Sequence, residues 1–230
     1  MSKVIALISL ILCFVIAANA QESSSNKILS RFELVAGPSF SKNSGYLSDY
    51  GSKAGYSFGV GYYQKLSKSF SINIRSLYEQ KGSSASQHIG LYEGWNNVNY
   101  PNVSYEYSSQ FQYLTFYLLP TFQFGRNKNV YVSAGGYYSF ERRASYKQSL
   151  INDDTGDIIE EYVSNQDDPG REVSNDAGVS FSLGYSFKIA KKSQLLLQAF
   201  SNRGLVDIQN PYAGSQRNNT FGLMLSLRIR

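Results

Sequence analysis

The chain has 230 residues, 42% hydrophobic and 17% charged, which excludes a disordered polymer and leaves room for one domain or two. With 19 Tyr, 14 Phe and 19 Gly against 5 Pro, the composition favours β structure over a helical bundle. The net charge of +5 does not signal a nucleic-acid partner, because Lys and Arg are scattered, and a single His and a single Cys argue against zinc sites and disulfide frameworks.

The chain opens with basic Met1-Ser2-Lys3, an apolar run from Val4 to Ala18 broken only by Ser9, and small residues Ala18-Asn19-Ala20 before Gln21. This pattern predicts a secretory signal peptide over 1–20, cleaved after Ala20. The apolar run is short for a bilayer-spanning helix. Cys13 lies inside it rather than at the cleavage point, so no lipid anchor is expected, and the exported chain must be stable without disulfides. A short periplasmic segment over 21–30 and a β-barrel domain over 31–230 are expected to follow.

Strict alternation of apolar and polar residues then runs along the chain. Tyr56, Phe58, Val60 and Tyr62 alternate with Ser57, Gly59, Gly61 and Tyr63. Phe181, Leu183, Tyr185 and Phe187 alternate with Ser182, Gly184, Ser186 and Lys188, and Phe221, Leu223, Leu225 and Leu227 with Gly222, Met224, Ser226 and Arg228. A period of two is the signature of strands. Candidate strands fall near 31–40, 54–64, 70–80, 110–124, 130–142, 176–189, 194–203 and 219–230. The connections alternate long (41–53, 81–109, 143–175, 204–218) and short (65–69, 125–129, 190–193).

This order predicts an all-β fold: an eight-stranded antiparallel up-and-down transmembrane barrel with short periplasmic turns and four long extracellular loops. Phe58, Val60, Phe181, Leu183, Leu223 and Leu225 are expected to face lipid. Aromatic girdles are expected from Tyr62-Tyr63, Phe70, Tyr78, Phe122, Phe124, Tyr137-Tyr138 and Phe140. The opposite face, rich in Gly, Ser, Asn, Gln and Arg, suits a narrow lumen, whereas a soluble barrel's outer face would carry more Lys, Glu and Asp. The alternative is a soluble lipocalin-like binder with its apolar face turned inward.

The succession FELVAGPSF, AGYSFGVGYYQKLSKSFSINIRSLYEQKG, QYLTFYLLPTFQFGRNKNVYVSAGGYYSF and AGVSFSLGYSFKI, then LLLQAFSNRGLVDI, resembles the PorT-like outer-membrane β-barrel family of Bacteroidetes-type bacteria. The resemblance implies an outer-membrane location. Its namesake is associated with protein secretion, so a component of a secretion machinery is one functional alternative it implies.

The charges on the polar face predict a lumen network of Glu33, Arg75, Lys188 and Arg228, with Glu33 and Arg228 adjacent near the periplasmic rim. Glu79 and Asp176 belong either to the same plug or to hydrated strand ends. Buried charges must be paired, so such a lumen should not conduct ions. No catalytic residue, cofactor or metal is expected. His88, with Ser83, Ser84 and Ser86 nearby, is the thin basis for a lipid-modifying or acyl-hydrolase alternative. The acidic run Asn152 to Asp157 lacks the Gly and Glu of a calcium loop, with Ile158 and Ser164 at those places, and reads as solvated loop, although loosely held divalent cations could bridge it to lipopolysaccharide. Residues 94–109, rich in Tyr, Asn and Ser, have the composition of a binding surface. The expected function is a non-enzymatic structural, adhesive or accessory barrel. Its expected partners are outer-membrane lipid, lipopolysaccharide and a protein or glycan at the loops.

Overall fold

The computed structural model describes residues 30–45, 51–93, 99–165, 175–190, 193–208 and 216–229. The expected signal peptide over 1–20, with Cys13, and the segment up to residue 29 lie outside the described residues.

Nine antiparallel strands form one sheet: β1 (Ser30–Gly45), β2 (Gly51–Lys65), β3 (Phe70–Glu93), β4 (Asn99–Phe124), β5 (Val130–Asn152), β6 (Ile158–Asn165), β7 (Asp176–Ala190), β8 (Ser193–Gly204) and β9 (Gln216–Ile229). Eight of them close a ring. Each of β1 to β5 pairs with its successor, β5 pairs with β7, β7 with β8, β8 with β9, and β9 returns to β1 from Phe32↔Ile229 to Gly45↔Gln216. Closure leaves the ring no free edge, which is what a strand-built wall in lipid requires.

The turns at one end are tight. Between β2 and β3, Ser67 Oγ accepts the Phe70 amide at 3.0 Å, so its side chain substitutes for a backbone partner. Between β4 and β5, Gly125 and Lys128 take positive φ of 86° and 53°.

At the other end β3, β4 and β5 run on above the ring. Residues 81–93 and 99–109, expected from sequence to be loop, are paired strand up to Glu93↔Asn99. A ninth strand, β6, which the sequence reading leaves as acidic loop, pairs only with β5, from Ser145↔Asn165 to Ile151↔Ile158. The result is a four-stranded extension, β3-β4-β5-β6, standing on one side of the barrel. On β3 the residues from Gly82 to His88 are small or polar on both faces, which removes the signal that reveals the membrane strands, while on β4 a short alternation persists with Val103 and Tyr107 buried and Ser104 and Glu106 not.

Side chains sort as the pleat dictates. Phe58, Val60, Phe181, Leu183, Leu223 and Leu225 stand on the outer wall, each about half exposed. A soluble calyx would hold these side chains inside; here they are outside, and the lumen is lined by Ser, Thr, Asn, Tyr and charged groups. Outer rings pair near both ends of the wall, with Phe40 stacked on Phe221 and Phe58 tilted against Tyr78 towards the extension, and Phe32 against Tyr62 and Tyr185 against Phe187 towards the tight turns. Tyr63 and Tyr137, grouped with the girdles in the sequence reading, are buried in the lumen, because each sits one residue out of phase with its outward neighbour.

Candidate functional site

The lumen is a plug in three layers. Near the tight turns, register sets Arg228, Glu33, Gly61 and Arg75 side by side on consecutive strands. Glu33 accepts from Arg228 Nε at 2.6 Å, from Arg75 at 3.2 Å and from Asn73 at 3.0 Å. Gly61 permits this, since a Cβ there would lie 3.1 Å from Arg75 Cγ and 3.3 Å from a Glu33 carboxylate oxygen. The Arg228 guanidinium also lies 3.6 Å above the Tyr63 ring. Arg75 reaches across the barrel to donate to Gln198 at 3.1 Å.

The middle layer is apolar: Val35, Leu77, Tyr117, Leu119, Tyr137, Phe200 and Met224 pack together. The void beside them measures only about 10 Å³, close to the minimum for one water.

The upper layer reverses the charge balance. Lys81 Nζ lies 3.0 Å from Asp176 and 3.5 Å from Glu79, and stands over the Tyr113 and Tyr137 rings at 5.2 and 4.8 Å. Glu79 accepts from Thr115 at 2.6 Å and Tyr117 at 2.7 Å. Asp176 accepts from Tyr137 and Asn218, each at 3.3 Å. Two cations thus surround one anion below, and two anions surround one cation above, so the layers carry opposite excess charge. Pairing of this completeness is the condition for burying charge at all.

Of the four residues expected in the network, the structure brings together Glu33, Arg75 and Arg228. It does not bring in Lys188, which is exposed at the end of β7 opposite Gln194. The last lumen-facing residue of β7 buried in the wall is Ser186, and the ladder carries Lys188 past the plug into water. Glu79 and Asp176 are fully inside. Sequence reasoning missed Lys81, Tyr113, Tyr117, Asn202 and Asn218. The usable signal was parity: Lys81 is two residues from Glu79, and Tyr113 and Tyr117 share a face with Thr115.

The extension carries a second cluster. His88, on β3 directly opposite Ser104, has Nδ1 2.9 Å from Asp153, and Ser104 Oγ donates to the same carboxylate oxygen at 2.9 Å. The order is therefore hydroxyl, carboxylate, imidazole; a nucleophile activated by a base needs the imidazole in the middle. Ser83 is buried and bonds Ser109 at 3.0 Å, away from His88. The acidic run is the β5–β6 turn. Asn152 Oδ1 accepts the Asp154 amide at 2.9 Å, Gly156 takes φ of 76°, and Asp154 accepts from Asn102 at 2.8 Å. Among the described residues no group of three His, Cys, Asp or Glu side chains is placed to hold a metal ion. Tyr92 donates to Glu160 at 2.8 Å, and that bond to a carboxylate pushes its phenol above the usual range.

A family model described as outer membrane protein beta-barrel domain matches residues 19–210. No curated protein sequence matches the chain. Among solved structures, Ail, the attachment invasion locus protein of Yersinia pestis, in complex with the heparin analogue sucrose octasulfate, is similar at 10% identity, covering 87% of this chain and 99% of that one with a TM-score of 0.37. Neisserial surface protein A is similar at 14% identity over 86% and 96% of the two chains, TM-score 0.39. OprG from Pseudomonas aeruginosa is similar at 9% identity over 87% and 94%, TM-score 0.36.

Proposed function

The chain belongs to the outer membrane protein beta-barrel domain family, and from that premise we propose that it is a non-enzymatic outer-membrane barrel whose lumen is closed and whose work is done by its extracellular extension. One observation carries this reading: the lumen is filled by buried, mutually paired side chains while β3 to β6 continue well beyond the ring. A protein that moved solute through its wall would leave space there. Short turns mark the periplasmic end, so the extension faces outward.

The role that fits is adhesive or accessory, with a protein or glycan partner at the strand ends. Tyr92, Tyr100, Asn102 and Tyr105 cluster there, and such residues combine contact area with adaptable hydrogen bonding. The test is whole-cell binding to an array of glycans and extracellular-matrix proteins, comparing full-length protein with a variant that joins Ser86 to Glu106 through a short turn. Binding lost with the strand ends supports the reading, and equal binding by both variants overturns it.

We also propose export by a signal peptide cleaved after Ala20; the intact mass of protein taken from the outer membrane should begin at Gln21. A role in a secretion machinery has only the sequence resemblance behind it. Comparing secreted proteins with and without the gene would test it.

A further inference from the structure

Above the upper aromatic girdle the outer wall changes character within one row of the sheet. Tyr78, Leu114 and Phe140 are cross-strand partners that close the apolar belt, and the next outward-facing row is Gln80, Gln112 and Arg143. The Tyr78 hydroxyl donates to Gln112 across this boundary at 2.7 Å. One row higher, Gly82 has no side chain, and Lys53 of β2 crosses over it. Its Nζ lies 2.8 Å from Ser108 Oγ and 3.5 Å from the Ser109 carbonyl, and a Cβ on Gly82 would stand 3.2 Å from its Cδ. In the row above that, Ser84, Ser108 and Lys147 stand in register.

A groove of about 580 Å³ opens at this height, lined by Ser84, Ser86, Ser108, Lys147 and Ser149 among others. Among the described residues its lining holds one carboxylate, Glu106, in the top row, and Glu161 lies beside it, 3.0 Å from Lys147. Below the groove, between its lining and the apolar belt, Arg142 and Arg143 are exposed and have no carboxylate partner among the described residues. The sequence from membrane to water is thus apolar belt, cations with hydroxyls, then acids.

We propose that this groove binds the phosphorylated glycolipid headgroup of the outer leaflet, the lipid A portion of lipopolysaccharide. Lys53, bonded to Ser108, and Lys147, in register with Ser108, take a phosphate, Arg143 supports it from the apolar boundary below, and the Ser84 and Ser108 hydroxyls face the sugars. The acyl chains run down the wall over Tyr78, Leu114 and Phe140. Phosphate suits the site because its charge is opposite to the row that meets it, because the row lies at headgroup depth, and because guanidinium–phosphate bonds are among the stronger charge-assisted ones. The proposal rests on the outer-membrane placement and is independent of what the strand ends bind.

The experiment is native mass spectrometry of the full-length folded protein in detergent, titrated with bisphosphorylated lipid A, with dephosphorylated lipid A and with inorganic phosphate. Lipid A retention is expected to fall about tenfold or more in the triple variant Lys53→Gln, Arg143→Gln, Lys147→Gln, for loss of several charge-assisted bonds. Wild-type protein should retain dephosphorylated lipid A as poorly as the triple variant retains the phosphorylated form. A heat-dependent gel shift checks that the variant folds, and Arg143→Gln alone, at an exposed side chain, serves if it does not. Equal retention of lipid A by wild type and variants, equal retention of the dephosphorylated lipid, or inorganic phosphate bound as tightly as lipid A would each overturn the proposal. None of these outcomes bears on adhesion by the strand ends.

Discussion

At the scale of single residues the lumen is governed by charge pairing and by glycines that make room for aromatic rings. Glu33 satisfies two arginines, so removing it strands both. Glu33→Ala is expected to cost about 3–5 kcal/mol, the usual penalty for an uncompensated buried charge, whereas Arg75→Met leaves the Arg228 pair intact and should cost less. Urea unfolding of the barrel in lipid vesicles measures the order, and Arg75→Met costing as much as Glu33→Ala would refute the account. Tyr131, Tyr137 and Phe200 lie opposite Gly184, Gly178 and Gly222 in register. A Cβ on Gly178 would collide with the Arg203 carbonyl oxygen and stand 2.8 Å from the Tyr137 ring, while at Gly136 on the outer wall the nearest atom would be at an ordinary 3.7 Å. Gly178→Val should therefore destabilise by about 1–3 kcal/mol through overpacking, and Gly136→Ala by much less, in the same unfolding measurement.

At the scale of elements, what sequence reveals depends on whether the two faces of a strand meet different media. Along β7 every outward residue from Phe181 to Phe187 is aromatic or aliphatic and every inward one is Gly or Ser, so both the strand and its phase are legible. On β3 the same chain loses its pattern after Lys81, because Gly82 to Gln87 is small and polar on both faces, and the strand continues unseen to Glu93. Phase also explains the candidate network: Glu33 and Arg228 were readable as neighbours because closure of the ring fixes the first and last strands together. Lys81 shares the inward parity of Glu79, but its partner Asp176 lies on β7, a strand that neither pairs with β3 nor is tied to it by closure of the ring, so the pairing itself was not readable. The extension should also be less protected than the ring. Strand β6 bonds only to β5 and lies apart from the closed ladder, so its amides are expected to exchange with solvent before those of β4 between Phe111 and Thr121. Hydrogen exchange followed by mass spectrometry reads this directly, and β6 amides as slow as those of β4 would show that a further layer covers them.

For the whole molecule, the question is whether the closed ring encloses a path. Eight strands leave an interior that side chains can fill, and here the fill is electrostatically interlocked. The lower layer holds Arg75 and Arg228 around Glu33, the upper layer holds Glu79 and Asp176 around Lys81, and an apolar layer with Tyr117 and Phe200 separates them. An ion entering from either end would have to break a buried pair before meeting the apolar layer, where nothing replaces its hydration shell. The protein reconstituted in a planar bilayer should therefore show no steady single-channel steps. Replacing Leu119 and Phe200 by Ala opens the separating layer at two residues that bond to neither charged cluster, and measurable conductance is expected only in that variant. Steady conduction by the unaltered protein would mean that the plug opens in the membrane, and the closed-lumen reading would fall with it.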